Sequence, residues 1–411
     1  MRRAPRLIRQ TLRVACCLAA AASLLLPVSC SFPGTVRPTV KMGLVAPFEG
    51  RYRAIGYDVI YAVRLALSEV NQTGGVAGHA VELVAYDDGA QPAMAIEQAR
   101  KLDVDPQVLA AVGHFREETT LAAVGVYGQA RLPLVAPAVL TPHLSQDSRP
   151  LYRLGPPAPV LAHALLDRAA QLTGAQAERS QRDDAIVLVS QGGPLGASLQ
   201  DLASQRQAGD PGWRLSAVSA AAPDWRKDVL ARNPAVVLCD LDPVLAGEVV
   251  ASLRQGGWSG PVLGGPALAA SDFAAVAGQA ARGATFVTPW PFPLDVPGGD
   301  VFAAAYRSAS DGVEPGPLAL PAYEATWMLL EGLEQAAAAG ELTRRGVGAA
   351  LSGVERDGLL GHIALNGEGA WTAESLYWYQ IGPQGAPRLV ETAPRADVSP
   401  LAPSPRSRET G

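Results

Sequence analysis

Two kinds of apolar spacing alternate along the first third of this chain. Val40 to Ala46 reads as a strand, and behind it Val59, Ile60, Val63, Ala66, Leu67 and Val70 recur at helical spacing. Gly74 and Gly75 close that helix, because glycine takes the positive-φ conformation that a helix C-terminus often needs. A strand at 81–86 follows, so NQTGGVAGHAVELVAYDD, from Asn71 to Asp88, completes a β-α-β unit. Further strands at 109–112 and 133–136 alternate with helices at 56–71, 92–102 and 117–129, which predicts a parallel sheet with helices on both faces. After Tyr152 to Gly155 and the PPAP that ends at Pro159, the alternation restarts. Strands at 185–189, 213–218, 235–239 and 261–263 then alternate with helices near 157–174, 196–207, 224–232 and 243–256, and 283–288 reads as a return strand. Two equal α/β lobes fit a chain of 411 residues.

The two ends break the pattern. Arg2, Arg3, Arg6, Arg9 and Arg13 precede an apolar run, Val14 to Leu26, too short for the roughly 20 residues of a membrane-spanning helix. It ends in LLLPVSC, so 1–29 reads as a lipoprotein-type signal peptide with acylation at Cys30, although Pro27 stands where such signals usually carry leucine. Two acyl chains, at about 0.8 kcal/mol per buried methylene, hold a protein stably at a membrane. Residues 30–38, with SFPGTVRP, read as a tether, and 383–411, rich in Pro, Ser, Ala and Arg, as a disordered tail.

Composition narrows the function. Apolar residues make up 48% and charged residues 18%, a globular balance, and the formal charge of −5 becomes −10 once the five arginines of the signal are removed. An acidic body has no electrostatic reason to seek nucleic acid. Cys16 and Cys17 lie in the signal and Cys30 is the lipid site, so Cys239 alone remains and no disulfide forms within the mature chain. Following AVVL, Cys239 reads as a small buried filler. Of the five histidines, His79, His143, His163 and His362 have no metal-ligand spacing with cysteines or acids, and His114 after Gly113 reads as a structural hydrogen-bonding group. No GxGxxG occurs, and the glycine-rich QGGPLGAS lacks the lysine of a phosphate loop. These absences point away from an enzyme, a cofactor or a metal.

KMGLVAPFEG, IGYDVIYAVRLALSEVN, YDDGAQPAMAI, AAVGHF, LPLVAPAVLTP and GPVLGGPALA occur in that order between Lys41 and Gln380. Together they resemble the type I periplasmic-binding proteins, in the branch that serves importers of leucine, isoleucine and valine and related amides. The resemblance implies two Rossmann-like lobes joined by a three-crossing hinge near Leu154, Thr288 and Leu360, with helices 299–309 and 319–339 returning to the first lobe. Lobe one then comprises 39–154 and 288–360, and lobe two 155–287 and 361–382. The cysteine pair of some relatives is absent, with Ala90 and Arg116 at the matching positions. The implied function is that of an extracytoplasmic, membrane-anchored lipoprotein in the periplasm or on the outer face of the cell membrane. It would be a monomer delivering a small polar ligand, of an amino-acid, amide or related class, to an ABC permease and ATPase complex. The alternative is a sensing or protein-interaction module on the same fold with a degenerate cleft.

Ligands of open α/β sheets sit beyond the carboxyl ends of the strands. The candidate loops are PFEGRYRAIG with Tyr52, GHFREETT with Arg116, Glu117 and Thr119, and APAVLTP with Ala138 and Leu140. Across the cleft they are QGGPLG with Leu195, CDLDP with Asp240 and Asp242, and GGPAL with Ala267, joined by Trp290. By resemblance, Glu117 stands where a ligand-binding serine would be, Leu140 replaces a threonine, and Ala138 supplies only backbone. Ala267 replaces an ammonium-anchoring glutamate, and Leu195 and Asp242 replace covering aromatics. A Glu117 carboxylate about 4 Å from a ligand carboxylate would cost on the order of 4 kcal/mol at an effective dielectric of 20. The expectation is that branched-chain amino acids are not bound in the relatives' way, and that a ligand is neutral or cationic around Glu117. Two readings of Glu117 stay open: a favourable acid in the first turn of a helix, worth about 0.3–1 kcal/mol, or a ligand acceptor working with Asp240 or Asp242. Arg116 could pair with those acids, and Tyr52 and Trp290 could stack on a ligand or pack in the core.

Overall fold

The computed structural model describes residues 37–141, 151–177, 186–210, 213–371 and 375–395; Cys30, the signal and His143 lie outside them. The first sheet contains β1 (Thr39–Ala46), β2 (Ala80–Asp87), β3 (Val108–Gly113), β4 (Leu134–Ala136) and β5 (Leu151–Arg153). All are parallel, in the order β2-β1-β3-β4-β5. Helices α1 (Arg53–Gln72), α2 (Pro92–Val104) and α3 (Glu117–Ala130) make its crossovers. Gly75 terminates α1 as expected: its φ is 76°, and a Cβ there would stand 1.9 Å from the His79 carbonyl oxygen.

The second sheet repeats the plan. After α4 (Ala158–Ala177), β6 (Ile186–Ser190), β7 (Leu215–Ser219), β8 (Val236–Asp240), β9 (Val262–Gly264) and β10 (Thr285–Thr288) pair in the order β7-β6-β8-β9-β10. Here α5 (Pro194–Gly209), α6 (Trp225–Arg232), α7 (Pro243–Gln255) and α8 (Ser271–Ala277) are the connections. In both sheets the strand order reverses beside the first strand, between β1 and β3 and between β6 and β8. Such reversals leave a crevice at the strand ends because the crossovers depart to opposite faces.

Each sheet is buried on both faces. On β1, Met42 and Leu44 join one core and Val45 the other; on β8, Val237 and Cys239 join one and Val236 and Leu238 the other. The period of two therefore reads as a continuous apolar run, as parallel strands require. Helices α9 (Gly299–Ala309), α10 (Ala319–Ala338) and α11 (Arg344–Leu351) pack into the first sheet's core through Phe302, Leu329 and Val347.

The C-terminal part departs from expectation in two places. A hairpin of β11 (Glu355–Gly358) and β12 (Gly361–Ala364) follows α11, and its Ile363, with Leu360 and Trp371, belongs to the first sheet's core. The Arg153 N–H donates to Gly369 O at 2.8 Å, and the Trp371 N–H to Arg153 O at 2.8 Å. Residues 361–371 thus go with lobe one, so the boundary does not lie near Leu360, while Ser375 already belongs to a strand of the second sheet. Within the segment read as tail, β14 (Pro387–Pro394) pairs antiparallel with β13 (Ser375–Ile381), which lies antiparallel to β10. A polar edge strand needs only a neighbouring backbone, so composition did not betray it.

Candidate functional site

The carboxyl ends of the two sheets face a shared cavity of about 220 Å³. Of the sequence-predicted residues, Arg116, Glu117, Ala138, Leu140, Leu195, Asp240, Asp242, Ala267 and Trp290 line it. Tyr52 and Thr119 do not. The rest of the lining is mostly apolar, with Ile55, Phe115, Leu241, Pro317 and Leu318 among it.

On the first-sheet wall, α3 begins at Glu117, whose carboxylate turns toward the chain that leaves β4. It accepts from Leu140 N at 2.9 Å, Thr141 N at 3.0 Å and the Thr141 hydroxyl. Burial pushes its pKa up, against the lowering by Thr141 and the two backbone donors. Arg153, buried in β5, continues the bracing: it donates to Thr141 O at 2.5 Å and Gly155 O at 2.9 Å. The Glu117 oxygens expected to meet a ligand therefore hold a loop in place. Thr119 is buried and donates to Arg116 O at 3.2 Å within the start of α3, so it has no part in the lining.

Arg116 does not pair with Asp240 or Asp242. Its guanidinium lies 3.8 Å from the Tyr52 ring centroid, and its Nη2 contacts Glu118 at 3.3 Å. Its Nε is buried without a hydrogen-bond partner. Tyr52 is thus used by the protein itself as the platform under this cation. Its phenol pKa is raised, by burial first.

A second brace in the first-sheet wall comes from far along the chain. Asp58 of α1, partly buried, accepts from Gly316 N at 2.7 Å and Leu318 N at 2.8 Å, and so holds the segment carrying Pro317 and Leu318. Burial raises its pKa from 3.8 to about 6, against the lowering by those N–H donors.

The second-sheet wall is built the same way. Asp240, ending β8, accepts from Ser190 Oγ at 2.7 Å and Gly193 N at 3.0 Å, and burial raises its pKa. A Cβ on Gly196 would stand 2.3 Å from Asp240 Oδ2, so only glycine lets the helix start approach this carboxylate. Asp242 caps α7, accepting from Val244 N at 3.0 Å and Leu245 N at 3.1 Å, and pairs at 3.3 Å with Arg51 from the first-sheet side. Leu195 is buried in the second sheet's core. Trp290 sits where β10 returns toward the first sheet; its Nε1 donates to Leu154 O at 2.8 Å, tying two crossings together.

Elsewhere the chemistry is structural. His114 Nδ1 lies 2.7 Å from Asp88 Oδ2 and Nε2 3.2 Å from the Tyr127 hydroxyl, all buried. Cys239, although it lies in the cavity wall, is buried, and burial pushes its thiol up to about 12, far from a reactive thiolate. Among the described residues no cluster of His, Cys, Asp and Glu could hold a metal ion. Sequence reasoning missed Arg51, Asp58 and Arg153. Asp58, a lone acid between apolar positions of α1, left a signal; its partners, more than 250 residues away, left none.

The family model described as periplasmic binding protein matches residues 39–386. The chain belongs to that family. Its members are solute-binding proteins rather than enzymes, and they work outside the cytoplasm. The Leu/Ile/Val-binding protein BraC3 of Rhizobium johnstonii is 24% identical over 372 residues, covering 87% of this chain and 96% of its own length. Among solved structures, the leucine binding protein LivK of Thermotoga maritima superposes with a TM-score of 0.73 at 20% identity, over 87% of this chain and 99% of its own. A solute binding protein of an ABC transporter from Rhodopseudomonas palustris BisB5, in complex with 3,4-dihydroxy benzoic acid, does so at 0.72 and 20%, over 87% and 98%. At these identities the structural likeness is one of fold. This periplasmic binding protein has, among its described residues, no helix long and apolar enough to cross a membrane.

Proposed function

We propose that the chain is the substrate-binding component of an ABC-type importer, held outside the cytoplasm by a lipid on Cys30 and acting as a monomer. One observation carries the reading: two sheets of the same strand order present their switch points to one cavity, with residues of both in its wall. A small molecule seated there touches both lobes. Closure about the crossings at 154–155 and 288–290 then follows from population shift, since a ligand that contacts both walls binds the closed state better. The contact of Arg51 with Asp242 across the cleft supports such closure. The delivered solute would be small, because the cavity falls below the ~300 Å³ typical of drug-sized sites.

The test is a thermal-shift screen of the mature protein against amino acids, amides, polyamines and small organic acids. A true ligand at 100 times its dissociation constant adds about 2.7 kcal/mol. Mass spectrometry of the membrane fraction should find the mature N-terminus acylated at Cys30. A protein that no small molecule stabilises, and that another envelope protein captures, would instead be the interaction module.

A further inference from the structure

We infer that the edge of the first sheet opposite the cleft is a membrane-contact face, on which Arg131 and Arg345 receive the phosphates of anionic lipid headgroups and hold the cleft turned away from the bilayer. The inference rests on the tethered reading above and concerns a different place on the molecule. The cleft lies at the carboxyl ends of the strands, whereas β1, β3, β4 and β5 begin at the other edge, with Thr39, Val108, Leu134 and Leu151. Thr39 stands nine positions after Cys30, and nine residues reach roughly 30 Å when fully extended, so a lipid on Cys30 keeps this edge near the bilayer surface. A cavity of about 750 Å³, larger than the one in the cleft, opens at the same edge. It is lined by Arg131, by Leu151 and Tyr152 of β5, and by Arg344, Arg345 and Gly348 of α11, with the turn at 365–369.

The three arginines differ in what they already hold. Arg344 donates to Asp103 Oδ1 at 2.6 Å and to Val108 O and Asp105 O at 2.8 Å, so it ties down the start of β3. Arg131 and Arg345 are exposed, and among the described residues neither has a hydrogen-bond or ionic partner. Local structure favours neither. The end of α3 suits the charge of Arg131 but not its backbone, which is left-handed at φ 50°, a conformation that glycine takes without strain. Arg345 lies in the first turn of α11, where the positive end of the helix dipole disfavours a cation. With Arg344 set against Asp103, two guanidiniums face Glu368, the one acid in the described lining. Guanidinium donors match phosphate oxygens in bidentate fashion, and an anionic membrane surface attracts basic residues within about a Debye length. Val104, 83% exposed where α2 ends beside Asp105, gives the same edge an apolar contact.

Vesicle flotation of the full mature chain carrying Cys30→Ser, which has no acyl chain, tests the face without the anchor. The vesicles are phosphatidylcholine alone, and phosphatidylcholine with phosphatidylglycerol in equal parts, at low salt. The expected result is partition into the anionic vesicles only, weakened by added salt. Arg131→Gln and Arg345→Gln should each reduce it about 5-fold, and together about 30-fold, at unchanged melting temperature. Arg226→Gln with Lys227→Gln, the same charge change on exposed residues of α6, should alter it by less than about 2-fold. An equal loss from that control pair, partition indifferent to Arg131→Gln and Arg345→Gln, or no preference for phosphatidylglycerol would each overturn the inference. So would calorimetric binding of glycerol 3-phosphate that needs Arg131 while the vesicles bind nothing, since the cavity would then be a site for a soluble phosphate. None of these outcomes depends on acylation of Cys30, which mass spectrometry decides separately.

Discussion

The two walls of the cavity solve one problem with the same device and differ in one group. On each, a loop at the carboxyl end of a strand is held by a partly buried or capping carboxylate: Glu117 and Asp58 on the first-sheet side, Asp240 and Asp242 on the other. Loops at strand ends carry backbone N–H groups that no ladder satisfies, and a buried unsatisfied donor costs about 1–3 kcal/mol, so an acid that accepts from two of them does structural work. Only the first wall adds a cation with an unpartnered donor in the lining, Arg116. An acid in a cleft is thus weak evidence for a cationic ligand until its donors have been counted.

The largest effect is expected from Glu117→Ala. It strands Leu140 N, Thr141 N and the Thr141 hydroxyl, and should cost about 4 kcal/mol in denaturant unfolding, since bonds to a charged acceptor contribute about 1.5–3 each. Glu118→Ala, one residue on and exposed, should change stability by less than about 0.5 kcal/mol. Equal effects from the two would mean that Glu117 is not a brace.

Asp58 gives the pH test. Its folded pKa of about 6 lies above 3.8, so its contribution is fully present below pH 3.8 and is lost as pH rises through about 6. The shift corresponds to about 3 kcal/mol at 1.36 kcal/mol per unit. The stability of the wild type relative to Asp58→Asn should therefore fall by about that amount between pH 4 and pH 7.5. A flat difference would show that the carboxylate is not buried as described.

Smaller effects distinguish cap from ion pair on the second wall. Asp242→Ala should cost about 1 kcal/mol through loss of the α7 cap. Arg51→Ala, removing a half-exposed partner, should cost at most about 0.5 kcal/mol while raising the rate of ligand release in stopped flow, if that pair helps hold the lobes together.

Sequence and structure divide along the range of the forces involved. The alternation of apolar periods, the glycine stop after α1 and the buried character of the central strands are local and follow from residue order alone: β1, β3, β6 and β8 lie within a residue or so of where the pattern placed them. The cluster of residues around one cavity was also within its reach, because the loops at strand carboxyl ends are known once the strands are. What each side chain does there was not. The oxygens of Glu117 are spoken for by residues 23 and 24 positions away, and those of Asp58 by residues more than 250 away. The same long range decided that the 361–371 segment joins the first core through Ile363 and Trp371, and that a polar stretch after Pro383 becomes an edge strand. Hydrophobic period is written into neighbours along the chain; which buried donor a carboxylate meets is decided only when distant segments pack.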